Sequence, residues 1–427
     1  MSTSTPAMPT QPMSMAAVLR ESTVMRRLWY AQIISIFGDF LALFAVISVL
    51  TFKLRVNAEQ ITGVQIAYLV PIAILGVVAG VFVDRWPLKP TMVTSDLLRA
   101  GLVLLLLLAS KTWHYYAILA AISVVSSFFG PAQGVAIRSA VPLHGLRSAN
   151  ALIQQVFLGM RIIGPAVAAF LVGSFGPQSC YLADSASFIG SALLITSVAL
   201  IKPAAAPAAS QATQTGTSPL ARVWSDMRQG IDFILHHAAL LFVLLAMASG
   251  MFILGCFGPL IAVYVRDQLH ASSQIFGAAS ALIGVGMLIG INALTIFATK
   301  LKNATLVYCS LGGIAVGLVI LAGVTQVWST FLGNFVIGFT VAGIIIPAQT
   351  LIQQETPPAL MGRVGSTVMS LIFTAQVAGL ILSGILAQHA GVRQVFGLCA
   401  LALCALIAVG RIWMEPRKVG QALSPAS

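Results

Sequence analysis

Residues 28–52 read LWYAQIISIFGDFLALFAVISVLTF. The run carries a single charged side chain, Asp39, and a bilayer core of ~30 Å is crossed by about 20 apolar residues in a helix. It is too long and too unalternating for a barrel strand, and a lipid-exposed backbone must satisfy its own hydrogen bonds, so it reads as a membrane-spanning helix. The same signature recurs at 61–83, 91–110, 113–137, 149–175 and 178–201. After a break it resumes at 238–265, 274–299, 303–325, 327–351, 363–389 and 391–413. The predicted fold is an all-α polytopic membrane protein of twelve spans, six and six.

Composition excludes the soluble alternative. Of 427 residues, 58% are apolar and 8% charged, against roughly 25% charged in a soluble protein. The net charge of +12 is explained by position. With the termini on one side, the tails and loops of that side hold 16 Lys and Arg and the opposite loops 5, while Arg99 and Arg161 fall inside spans. Positive charge collects on the cytoplasmic side, so both termini are expected in the cytoplasm of a cell (inner) membrane protein. A nucleic-acid partner is excluded by the same distribution.

Cys180, Cys256, Cys309, Cys399 and Cys404 sit in apolar runs without a CxxC pair or companion histidines, so neither a disulfide framework nor a metal site is expected. All six histidines lie in loops or at span ends. The Gly284, Gly286 and Gly290 pattern lies mid-span and reads as small-residue helix packing rather than a nucleotide loop. The chain has no Walker A lysine motif, hence no ATP-driven engine. No cofactor, no metal and no enzymatic activity are expected.

The chain divides into a cytoplasmic tail with a short helix (1–27), a six-helix half (28–201), a cytoplasmic linker (202–237), a second half (238–413) and a cytoplasmic tail (414–427). In the linker, 203–217 is Ala/Pro/Thr-rich and of low complexity, and Ser218-Pro219 opens an amphipathic helix suited to the membrane surface or to packing on other loops. The halves repeat. Pro131-Ala132-Gln133 recurs as Pro347-Ala348-Gln349, and Pro142 and Arg147 recur as Pro358 and Arg363, all at an offset of 216. Equal six-span halves in one orientation imply a pseudo-two-fold axis along the membrane normal, a transporter plan.

Three motifs resemble the major facilitator superfamily from about Leu28 to Trp413. Gly80-Val-Phe-Val-Asp84-Arg85-Trp-Pro-Leu-Lys89 is similar to its signature loop, with Pro87 and Leu88 departing from the pattern. Gly164-Pro165 in span 5 resembles its antiporter motif, with Ala168 and Ala169 in place of a glycine pair. In span 4, Gln133-Gly134 fits, while Gly130 stands where an arginine is common. Ser35-Ile-Phe-Gly38-Asp39 and Glu355-Thr-Pro357-Pro-Ala-Leu-Met-Gly362-Arg363 resemble the drug/proton antiporter branch with macrolide-efflux proteins and the enterobactin exporter. The resemblance implies secondary, proton-coupled export of a lipophilic small molecule by alternating access. An endogenous compound such as a siderophore, or a lipid or lysophospholipid, is the alternative cargo. A functional monomer in the lipid bilayer is expected. The resemblance also implies that Asp84 docks on the helix start at Arg363 when the cytoplasmic gate closes, with Gly80, Arg85 and Lys89 around it.

Charges inside spans are the strongest signal in the residues themselves, because one at the bilayer centre costs at least ~2.5–3.5 kcal/mol. Asp39 lies eleven residues into span 1 and Arg161 twelve into span 5, both about 17–18 Å deep from the cytoplasmic face. The protonation of a buried carboxylate answers to a neighbouring cation, so Asp39 is expected to carry the coupling proton with Arg161 as its partner. A permanent, orienting ion pair is the alternative. Asp184, about 9 Å in from the outside, either completes that network or is a hydrogen-bonded structural carboxylate. Asp96 and Arg99 are read with the basic cytoplasmic ends of spans 2 and 3. For the substrate cavity, Phe37, Phe40, Phe157 and Met251 supply apolar surface, and Gln133, Asn334 and Gln376 polar points. Each also suits plain helix packing.

Overall fold

The computed structural model describes residues 13–83, 85–200, 228, 232, 238–297, 303–356 and 361–411. The linker reading over 202–237, apart from residues 228 and 232, and the C-terminal tail over 414–427 lie outside the described residues. Among those described, the regular elements are helical. A short α1 (Met15–Glu21) precedes twelve long apolar helices. In the N-terminal part these are α2 (Thr23–Ser48), α3 (Ala58–Val83), α4 (Leu88–Leu104), α5 (Thr112–Ala140), α6 (Leu146–Phe175) and α7 (Pro177–Thr196). The C-terminal part has α8 (Ala238–Asp267), α9 (Ser273–Phe297), α10 (Asn303–Gly323), α11 (Val327–Glu355), α12 (Met361–Ala390) and α13 (Val392–Val409). These are the twelve expected spans.

Local chemistry sets the ends. Ser14 and Ser22 are N-caps, accepting from the backbone of Ala17 (3.2 Å) and Met25 (3.0 Å). Ser22 Oγ also donates to Ala140 O at 2.8 Å, tying the start of α2 to the end of α5. Gly176 (φ 82°) and Gly391 (φ 90°) make the tight turns into α7 and α13, a conformation that favours glycine. Span 6 was expected to run to 201, but α7 stops at Thr196. The apolar sequence continues, yet the Arg27 guanidinium donates to Ser197 O and caps the helix end there. The far end of α2 loosens into a π-helical turn, Val49–Lys53.

The residues group into two units. The first comprises 1–213 with 261–284, the second 214–260 with 285–427. In the first, α2 packs on α6 and α7, α3 on α5, and α4 on both α5 and α7. Val18, Met25, Leu28, Met92, Phe129, Ala132 and Ile195 belong to one of its buried cores. In the second, α10 packs on α11 and α13. Glycines let backbones meet there. A β-carbon at Gly286 would come 2.8 Å from Phe339 N, and one at Gly255 3.1 Å from Gln376 C. All five cysteines are free.

Candidate functional site

The chemistry-bearing side chains of the first unit converge between α2, α3, α4, α5 and α7. On α2, Gly38 precedes Asp39. A β-carbon at Gly38 would collide with Ser187 Oγ and Asp184 Oδ1 of α7, so the missing side chain is what lets the Asp184 carboxylate approach α2. Asp184 is 1% exposed. Ser187 Oγ donates to its main-chain oxygen (2.7 Å) and to Oδ1 (3.3 Å). Ser185 Oγ donates to Ala100 O at 3.0 Å, fixing α7 against α4.

On α4, Arg99 donates to Asp96, three residues earlier on the same helix face. Both are buried, Asp96 at 0% and Arg99 at 4%. The guanidinium lies between two rings, 4.5 Å from the Phe129 centroid on α5 and 4.3 Å from that of Phe188 on α7. Each ring face attracts a cation, and more strongly where water is absent. Asp96 Oδ2 and Arg99 Nε have no hydrogen-bond partner among the described residues. Asp39 and Asp184 are within electrostatic reach of each other and of Arg99, and Tyr68 of α3 feels all three.

The cluster therefore holds three carboxylates, one guanidinium and a phenol. Asp96 and Arg99 neutralise each other at closest range, and Asp39 and Asp184 share what remains of that cation's field. An uncompensated charge in such surroundings is costly. A proton is the counter-charge this arrangement can accept and return.

Two expectations are corrected. Asp96 and Arg99 do not belong to the basic cytoplasmic rim; they are buried in the cluster. Nor does Arg161 partner Asp39, whose cationic neighbour is Arg99. Arg161 is exposed and forms no ion pair or hydrogen bond among the described residues. The reason is azimuth. Ile153, Val156, Gly164 and Ala168 form the buried stripe of α6, whereas Arg161 shares an exposed stripe with Phe157, one turn earlier. A residue count along the helix does not give the face on which Arg161 stands.

Sequence reasoning also missed Tyr68 and Phe188. For Arg99 a signal existed. It lies eleven residues after the α4 start at Leu88, about 17 Å, the depth given to Asp39. Its i, i+3 spacing from Asp96 puts both on one face.

The remaining positions fall as follows. Gly164 meets Phe40, where an added β-carbon would be 2.6 Å from the phenylalanine's own, and Pro165 O faces Gly277. The antiporter-like dipeptide is thus a close-packing point of α6. Gly80 closes on the last turn of α3, where Arg85 and Trp86 N–H both bond Phe82 O. Arg85 is exposed and Lys89 half-buried, while Asp84 and the Arg363 side chain lie outside the described residues. Phe37 and Phe40 are half-buried, and Gln133 Nε2 is buried without a partner among the described residues. In the second unit, Met251 is half-buried and Gln376 lies where α8 and α12 cross. Asn334 is fully buried with both amide atoms unpartnered among the described residues, so the helix–helix bond expected of it is not formed there. No group of metal-ligating side chains occurs among the described residues.

The sequence matches the family model described as Major Facilitator Superfamily over residues 28–364 and 243–426. It is 27% identical over 406 residues to the uncharacterized MFS-type transporter YfiS of Bacillus subtilis (strain 168), with 92% of each chain covered. Macrolide efflux protein A of Streptococcus pyogenes is 25% identical over 402 residues, covering 92% of this chain and 96% of that protein. Among solved structures, the nucleoside transporter NupG superposes with a TM-score of 0.68 at 14% identity, over 92% of this chain and 100% of that one. This last likeness concerns the fold alone.

Proposed function

The chain belongs to the Major Facilitator Superfamily, and on that premise we propose that it is a proton-coupled secondary exporter of lipophilic organic compounds, macrolide-like in class. The observation that carries the coupling is the Asp39, Asp184, Asp96 and Arg99 cluster, three acids to one base in the interior of a transmembrane half. Similarity to a macrolide efflux protein supports the substrate class.

In this reading Asp39 is the carboxylate that loads and unloads the proton, Asp184 shares the load, and Arg99 is the fixed counter-charge. Protonation removes negative charge from the interface of α2 with α7 and lets these helices change their mutual packing. Proton release restores the attraction of Asp39 on α2 for Arg99 on α4, together with the repulsion between Asp39 and Asp184, and so returns the helices to their first packing. Arg161 and Phe157, exposed on the neighbouring stripe of α6, face the transport pathway. Phe37, Phe40 and Gln133 contribute to substrate contact from one half, with Met251, Asn334 and Gln376 from the other.

The working unit is a monomer in the cell (inner) membrane, with halves 28–201 and 238–413 and with termini and linker in the cytoplasm. Its cytoplasmic gate closes by Asp84 docking at the helix start near Arg363. The test is efflux of a macrolide and of unrelated lipophilic dyes from proteoliposomes, with and without an imposed proton gradient. Export that is indifferent to the gradient would remove the coupling reading, and a panel in which no compound moves would remove the substrate class.

A further inference from the structure

At the end of α2 remote from the termini, the π-helical turn Val49–Lys53 and the residues after it meet the last turn of α8. Arg266 Nη1 donates to two main-chain oxygens there, Thr51 O at 3.0 Å and Val56 O at 2.7 Å. Its other nitrogens hold the neighbouring carboxylate, with Nη2 at 2.8 Å from Asp267 Oδ2. Phe276 of α9 stacks on Phe44 of α2, with centroids 4.8 Å apart and planes at 11°. Phe52 adds a third ring 6.4 Å from Phe276. Behind the stack α9 runs closely along α6. A β-carbon at Gly277 would be 3.1 Å from Pro165 O, and one at Gly284 2.8 Å from the Ile162 α-carbon. All these residues belong to the first unit.

We propose that Arg266 and the Phe44–Phe276 stack form an outer latch, closed here, that must part for cargo to leave. The inference rests on the orientation and alternating access given above, and it adds the residues that hold the outer end shut. The chemistry suits a latch rather than a permanent tie. Arg266 is neutralised by Asp267 on its own helix, so letting go of α2 leaves no unpaired charge. The two oxygens it releases are main-chain groups at a helix end, which water can satisfy as soon as the gap opens. The ring stack is sealed by contact alone and has no hydrogen bond to break.

The test uses the full chain with its five cysteines replaced and Ser280→Cys introduced one turn beyond Phe276. Labelling by a membrane-impermeant maleimide is followed in intact cells. Arg266→Ala and Phe276→Ala should each raise the labelling rate roughly tenfold by shifting the population towards the open state. Arg266→Lys should give a smaller rise, since an ammonium lacks the planar fork. Separately, a short bifunctional thiol reagent bridging Phe44→Cys and Phe276→Cys should stop export, and reduction should restore it. Unchanged labelling in both alanine variants, undiminished export by the bridged protein, or labelling confined to inverted vesicles would each overturn the latch. Increased labelling without movement of any tested compound would uphold the latch and count against the export reading alone.

Discussion

Arg99 pairs with Asp96 along α4 while its guanidinium rests 4.3 Å above the ring of Phe188 on α7. A fixed cation is thus held by one carboxylate and two rings in the first unit, with Asp39 and Asp184 inside its field. Removing that cation strands buried acids, and breaking such a pair typically costs about 3–5 kcal/mol. Arg99→Ala should therefore lower the thermal midpoint in detergent sharply. Arg99→Lys keeps the charge but loses the planar stacking, a deficit of about 1 kcal/mol. Equal midpoints for both variants and the parent would show that the pair does not stabilise the fold.

Asp39→Asn keeps the volume and much of the hydrogen bonding while abolishing titration. Gradient-driven efflux from proteoliposomes should be lost, with the thermal midpoint near that of the parent. Full gradient dependence in Asp39→Asn would return Asp39 to a packing role and shift the coupling to Asp184.

Gly38→Ala offers a test of sign. In an ordinary helix interior the change stabilises by about 0.5–1 kcal/mol. Here the new methyl meets Ser187 Oγ and Asp184 Oδ1, so a loss of about 1–3 kcal/mol is expected from overpacking. Combining it with Ser187→Ala should recover part of the loss in the same melting experiment. A stabilised single variant would mean that α2 and α7 do not meet there.

Asn334 is a buried amide with no partner among the described residues. Such a group costs roughly 1–3 kcal/mol to bury, so Asn334→Leu should raise the melting temperature. Efflux rates decide its role: a stabilised variant with unimpaired export removes Asn334 from the substrate contacts.

Orientation is open to single-cysteine labelling in intact cells. On a cysteine-free background, Thr112→Cys at the start of α5 should react with an impermeant reagent, and Ser210→Cys in the linker should not. The reverse pattern would invert the topology and with it every assignment of inside and outside.

Twelve spans could be read from sequence because their evidence is one-dimensional. Residues 28–52 are apolar for long enough to cross a bilayer, and the 16-to-5 split of bases needs no neighbour to interpret it. Depth is likewise a count of residues, which is why Asp39 and Asp184 stood out at once. Which side chains meet is a question of azimuth and of what packs opposite, and no count along one helix answers it. Arg161 and Arg99 lie at similar depth by residue count, yet one shares an exposed stripe with Phe157 and the other is enclosed by Asp96, Phe129 and Phe188. The choice between them was made by the rotation of α6 and α4 about their own axes. That rotation is fixed by close contacts such as Gly164 with Phe40 for α6 and Ala100 with Ser185 for α4, and these exist only after the helices have packed.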